Sequence, residues 1–363
     1  MKKWIGRCIK DHPECCPNSR PQKWYPSRLL DVGSSSESQS PMNPTEAKFR
    51  VHDTKNQETL GHYMTVSHRW GDKQPISLTQ NSAADLKGGM LVSELPKTFA
   101  DAVKVAWELG IRYIWIDSLC IYQDSEHEWQ SESAKMGLVY KNSWLNIAAI
   151  DSSDCNGGCF FQRDKRLVEP IKMKFKDDEK EFLCIDSNLW LVGIDGAPLS
   201  KRAWVLQERL LSPRQIHFGV LQLYWECRRH AACETLPGSM LASILDLMSA
   251  ENTDAQNTRK ATPLDVYTGW RHSVQNYSKC SLTYPRDKLI AISGVAKEMS
   301  KVINDQYLAG LWRSQLPTTL LWSAEPSGPA SSIRYQKSPA GSGNIWTRPR
   351  PLRAPTWSWA SLD

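Results

Sequence analysis

Phe99, Ala102, Val103, Ala106 and Trp107 stand at i, i+3, i+4, i+7 and i+8, one apolar stripe that predicts an amphipathic helix over LPKTFADAVKVAWELG (95–110). Gly110 is its natural stop, because glycine closes a helix in the left-handed conformation without a Cβ clash. The period then changes. IRYIWIDSL (111–119) is a dense β-branched and aromatic run, the composition of a buried strand. DSEHEWQSESAKMGLVYKN (124–142) returns to helical spacing, with Ser125 placed to cap it and Trp129, Met136 and Tyr140 on one face. WLNIAAI (144–150) reads as another buried strand, and HYMTVSHRWG (62–71) opens the series with a β-prone run ending in a polar turn. This alternation predicts an α/β fold, a parallel sheet flanked by helices.

Beyond about residue 160 the pattern changes again. VEPIKMKF (168–175) and EFLCID (181–186) read as hairpin strands, and PLSKRAWVLQERLLSP (198–213) carries a short helix. RQIHFG (214–219) and VLQLYWEC (220–227) form a second hairpin with its turn near Gly219. From residue 238 the chain reads as mainly helical, over 238–249, 263–278, 285–299 and 306–322. Two stretches, GSSSESQSPMNP (33–44) and EPSGPASSIRYQKSPAGSGN (325–344), have loop composition. The expected organisation is a lead-in segment with a flexible loop (1–60), a core with β-hairpin insertions (61–235) and an appended, mainly helical region (236–363).

Composition narrows the function classes. Sixteen tryptophans run from Trp4 to Trp359, too many large rings to leave in water, so they must fill cores or line a pocket. The net charge of +6 is diffuse, with basic pairs only at Lys165-Arg166 and Arg228-Arg229, which argues against a nucleic-acid partner. The start, MKKWIGRCIKDHPECC, lacks the apolar run of a secretory signal, and LIAISGVA (289–296) is far too short to span a bilayer. A reducing, cytoplasmic setting is expected, with free thiols. Cys8, Cys15 and Cys16, or Cys155 and Cys159, suggest a metal at first sight. Neither group has paired CxxC spacing or an evident companion histidine, so no metal site is expected.

Three long segments carry a resemblance. VSHRWG (66–71), LGIRYIWIDSLCIYQDSEHEWQSESAKMGLVYKNSWLNIAAIDS (109–152) and RAWVLQERLLSPRQIHFGVLQLYWEC (202–227) resemble, in order, the three motifs of the fungal HET (heterokaryon incompatibility) domain family. WIGRCIKDHPEC and SRLLDVG resemble the usual lead-in, and DKLIAISGVA, YLAGLW and RAPTWSWAS the lead-out. His68-Arg69 departs from the family, where Tyr-Cys or His-Cys is common, and the chain stops just after WSWAS where many relatives continue.

The resemblance implies a TIR-like sheet, and TIR relatives include enzymes that hydrolyse the nicotinamide glycosidic bond of NAD. The Trp-x-x-x-Glu element of that fold matches Trp204 and Glu208, and its first strand end matches VSHRWG. Glu208 is the candidate catalytic carboxylate, placed to stabilise the positive charge that develops as nicotinamide leaves; its plainer role is an ion pair with Arg202 or Arg209. Asp117 follows a buried strand, where open parallel sheets gather ligands, or else it caps the next turn. His68 is its candidate partner from the neighbouring strand. Ser67 and His68 alternate in direction, which makes them poor partners for each other. Ser67, Arg69, Trp70, Trp204 and Arg202 are the expected substrate contacts. Cys120 reads as a core thiol, and Glu128 and Glu132 as a solvated face, with Glu132 also able to meet the sheet edge. Two functions follow from the resemblance: an incompatibility or cell-death module that self-associates through its core, with NAD as a substrate, or a natural-product enzyme closing a ring in an apolar polycyclic ligand, of Diels–Alder type. Neither requires a cofactor. A non-catalytic scaffold is the third.

Overall fold

The computed structural model describes residues 1–16, 24–33, 45–56, 58–59, 61–71, 76–174, 180–238, 262–324 and 352–362. The expected helix over 238–249 and the two expected loops lie outside these, Gly33 and Gly238 apart. Among the described residues the strands are β1 (Arg28–Asp31), β2 (Lys48–Asp53), β3 (Tyr63–Ser67), β4 (Met90–Leu91), β5 (Tyr113–Trp115), β6 (Leu145–Ala148), β7 (Ile171–Lys174), β8 (Glu181–Cys184), β9 (Arg214–Phe218), β10 (Leu223–Cys227), β11 (His230–Cys233), β12 (Tyr307–Leu308) and β13 (Leu311–Trp312). The α-helices are α1 (Lys2–Asp11), α2 (Ala83–Gly88), α3 (Lys97–Leu109), α4 (Asp117–Cys120), α5 (Glu126–Ser133), α6 (Met136–Asn142), α7 (Ala203–Leu211), α8 (Pro263–Ser278), α9 (Ile290–Ile303) and α10 (Leu316–Thr319). No helix among them is long and apolar enough to cross a membrane.

Nine strands form one sheet in the order β11-β10-β9-β6-β3-β5-β1-β2-β4. Its centre, β9-β6-β3-β5, is parallel as the alternation predicts. Its flanks are antiparallel, so the sheet is mixed. On one flank the cause is connection length: tight turns join β9 to β10 and β10 to β11, and a short turn can only reverse the chain. The hairpin read as an insertion is therefore the sheet's edge. On the other flank β1 and β2, from the lead-in, pair onto β5.

Alternation along β3 divides its neighbours. Tyr63 donates its hydroxyl to the Val139 carbonyl of α6 at 2.6 Å, and Ser67 on the same face meets α7. His68 continues the opposite phase and lies against Phe99 of α3, ring centroids 4.7 Å apart. Helix α3 ends at Gly110 with φ 69°, the predicted left-handed stop. Helix α5 starts from a Ser125 cap that accepts the Glu128 N–H, but the helix expected over 124–142 breaks at Ala134-Lys135 into α5 and α6. The run 111–119 is a strand only to Trp115, because the Asp117 carboxylate accepts the Ser118 N–H and opens α4.

Helices α6, α7 and α9 pack together over the face of Ser67. Gly137 and Gly294 make this possible. A Cβ built on Gly294 would lie 2.9 Å from Gly137 Cα and 2.7 Å from Gln207 Oε1. Gly294→Ala gains about 1 kcal/mol of helix propensity, yet forcing two backbones apart costs about 3 kcal/mol. A net loss of about 2 kcal/mol is expected in thermal melts; an unchanged melt would mean that the two helices are not in backbone contact.

The helix expected over 306–322 is corrected. Residues 307–312 form the β12-β13 hairpin, turned at Ala309 and Gly310 with φ of 44° and 100°. The indole N–H groups of Trp270 and Trp359 both donate to the Gly310 carbonyl at 3.0 Å, so tertiary contacts fix a turn that helical spacing cannot show.

Candidate functional site

The sheet face under α6 and α7 is polar across its middle. Thr65 donates to Asn146 Oδ1 at 2.9 Å, and Asn146 Nδ2 donates to Ser67 Oγ at 2.9 Å and to Gln215 Oε1 at 2.8 Å. Asn146 is wholly buried within an otherwise apolar strand. Such a row is tolerable only when fully bonded, and a fully bonded row fixes side-chain directions.

Ser67, at the carboxyl end of β3, donates its hydroxyl to Glu208 Oε2 of α7, and the Tyr140 hydroxyl is within hydrogen-bonding reach of both. Glu208 is 5% exposed. Burial raises its carboxyl to about 7, opposed by the charge of Arg202 and the bonds from Ser67 and Tyr140 and assisted by the charge of Asp117. Near neutral pH this acid is balanced between its two forms.

Asp117 is half-buried beside it in the electrostatics of the site. Its Oδ2 accepts the Trp70 indole N–H at 3.0 Å, and its Oδ1 accepts the Ser118 N–H at 2.8 Å, within the first turn of α4. His68 Nε2 stands 3.8 Å from Asp117 Oδ1 and has no hydrogen-bond partner among the described residues. Burial lowers the His68 imidazole below its ordinary value, against the pull of Asp117. The Arg202 guanidinium donates to the His68 carbonyl, tying the start of α7 to the turn after β3. Arg69 is half-buried in that turn.

Ser67, His68, Trp70, Asp117, Arg202 and Glu208 are thus linked by contacts or charge around the carboxyl ends of β3 and β5. Trp204 is engaged elsewhere: its ring lies edge-on to Trp129 and its indole is near the Asp287 carboxyl. Arg209 does not pair with Glu208. It holds Glu226 and Asp195, at 2.8 and 2.7 Å, and Arg209 with His217 keeps the Glu226 carboxyl well below its usual range despite burial. Burial pushes the Cys120 thiol up to about 12, as befits a core thiol. Glu128 and Glu132 are corrected: Glu128 pairs with Arg28 and buried Glu132 accepts from Ser27, both at the start of β1. Tyr140 and Asn146 were not among the expected site residues. The signal for Asn146 was present, a lone amide inside WLNIAAI; Tyr140 was read only as part of an apolar face.

Residues 63–208 match the family described as heterokaryon incompatibility protein (HET). Over these residues the chain is similar to that family. The matched range runs from the first residue of β3 to Glu208 itself, so it contains every residue of the constellation. The vegetative incompatibility protein HET-E-1 of Podospora anserina is similar, at 24% identity over 198 residues, covering 45% of this chain and 14% of that protein. The chain therefore spans a small part of that relative's length. No solved structure matches.

The expectation that no histidine accompanies the N-terminal cysteines is also overturned. His12, from the segment between Cys8 and Cys15, stands with both of them and with Cys227 of β10 in one cluster.

Proposed function

We propose that this HET-like domain hydrolyses the N-glycosidic bond of NAD within an incompatibility-type protein, releasing nicotinamide and ADP-ribose. The observation that supports this reading is the bond from Ser67 to a buried Glu208 beside the partly buried carboxylate of Asp117, at the carboxyl ends of parallel strands. The bond from ribose C1 to the pyridinium nitrogen breaks with its electron pair going to nitrogen, so nicotinamide departs neutral and needs no proton. What the reaction needs is negative charge near the sugar, which Glu208 and Asp117 would supply. Water then adds at C1 and loses its proton, for which ionised Glu208 is a competent base. Arg69 and Arg202 are the cations placed to meet the pyrophosphate.

The cyclisation reading draws less support. Trp115, Trp190, Trp225 and Trp312 are fully buried in the cores, so the tryptophan count no longer speaks for an apolar ligand. Ser67, Asn146 and Tyr140, which surround Glu208, are polar. Self-association through the core would raise turnover with protein concentration. The test is nicotinamide release from NAD by the full chain in dilute and concentrated samples. Release that grows faster than protein concentration is expected, and none at either concentration would end the hydrolase reading.

A further inference from the structure

Cys8 and His12 lie one turn apart at the end of α1, and Cys15 closes the 3-10 turn Pro13–Cys15 that follows. Cys227 comes from the far part of the chain, at the last residue of β10 before the two-residue turn Arg228-Arg229. Their three sulfurs and one imidazole nitrogen all lie within 4.8 Å of one another, with Cys8 and Cys15 1% exposed. His12 Nδ1 is 3.3 Å from Cys227 Sγ. All ten cysteines of the chain are free thiols.

We propose that Cys8, His12, Cys15 and Cys227 bind a structural zinc ion. Three soft thiolates and one imidazole are a donor set that selects zinc, and four protein ligands leave no open position for chemistry. Sulfurs around zinc bonded at about 2.3 Å stand roughly 3.8 Å apart, so the cluster needs to contract by less than about 1 Å to close on the ion. The surroundings suit the bound form. Zinc with three thiolates carries a net negative charge, and the backbone N–H groups of Arg228 and Arg229 lie near the sulfurs of Cys15 and Cys227. The Arg228 guanidinium donates to the Glu14 carbonyl at 2.9 Å and Arg229 pairs with Glu14 at 2.6 Å, fastening the hairpin to the Cys15 turn.

The position gives the ion its purpose. Cys227 pairs with Arg214, the first residue of β9, so the cluster sits at the amino ends of the parallel strands, away from the carboxyl ends that carry Ser67. Helix α1 is only ten residues long, too short to hold itself in water. Zinc would staple it to the edge of the sheet, with the Trp4–Trp225 stack (centroids 6.4 Å apart) as its apolar counterpart.

The test uses the full chain purified without chelator. Elemental analysis is expected to find about one zinc per chain. Cobalt exchanged into the site should give thiolate charge-transfer and tetrahedral d–d absorption. Three cysteines should become reactive to a thiol reagent only after a chelator is added, with loss of hydrogen-exchange protection in residues 2–16. Cys227→Ser should lose the metal, whereas Cys184→Ser, outside the cluster, should keep it. A chain that holds neither zinc nor cobalt overturns the proposal. So does a mass lower by two hydrogens with a disulfide mapped among Cys8, Cys15 and Cys227. Both results come from the unaltered chain, so a variant that fails to fold does not obscure them.

Discussion

Trp115→Ala is expected to destabilise the fold by about 3–5 kcal/mol. Trp115 ends β5 in the parallel centre of the sheet, is 1% exposed and lies edge-on to Tyr140, ring centroids 5.7 Å apart. Truncation removes a large apolar transfer energy and leaves a void that the opposed strand β3 and helix α6 cannot both collapse into. An exchange to Phe keeps an aromatic edge toward Tyr140 and should recover part of the loss. The effect reaches the site, because the Tyr140 hydroxyl is within reach of Glu208. Chemical denaturation of the three proteins checks this. An alanine variant with an unchanged midpoint would mean that the ring is not part of the core.

What the sequence showed depended on whether the governing force was local. Helix α3 and its Gly110 stop were legible, since the stripe from Phe99 to Trp107 and a left-handed glycine are properties of consecutive residues. So were the parallel central strands, whose apolar runs are too dense for a sheet with a wet face. The antiparallel flanks were not, because β1 pairs with β5 across more than eighty intervening residues and nothing in SRLLDVG encodes that partner. The β12-β13 hairpin escaped for a similar reason: Gly310 is held by indoles from Trp270 and Trp359, distant in sequence. At the site, Glu208, Asp117, Ser67 and His68 were recoverable through motif resemblance, but Arg209 pairs with other carboxylates than the one offered to it, because adjacency in sequence is not adjacency in space. On a helix, neighbouring residues diverge by about 100°, which sends Glu208 to Ser67 and Arg209 to Glu226. The cysteine cluster was missed in the same way. C-x3-H-x2-C supplies three ligands, and the fourth is more than two hundred residues away on a sheet edge.

Glu208→Gln is expected to reduce nicotinamide release by a factor of about 10²–10³ while leaving the protein folded. The amide keeps the shape and an oxygen that still accepts from Ser67, but carries no charge against the developing oxocarbenium ion. Because burial raises the Glu208 carboxyl from 4.5 to about 7, wild-type turnover should rise with pH through about 7 as the carboxylate forms. Stability should move in the opposite direction. Between 4.5 and about 7 the folded protein keeps a proton that the unfolded chain has released, so this group weakens the fold as pH increases through that window. The slope is at most about 1.4 kcal/mol per pH unit. The glutamine variant has no such group, so its stability relative to wild type should increase across the window and level off above it. Comparing the two proteins at each pH cancels the other titrating groups, including His68. If Glu208 were instead half of a stabilising ion pair with Arg202, the substitution would lower stability most where the carboxylate is charged, with the difference between the two proteins changing sign. Melting and nicotinamide release measured on the same samples therefore distinguish a buried acid kept for chemistry from one kept for structure, and a variant with wild-type turnover would remove Glu208 from the mechanism.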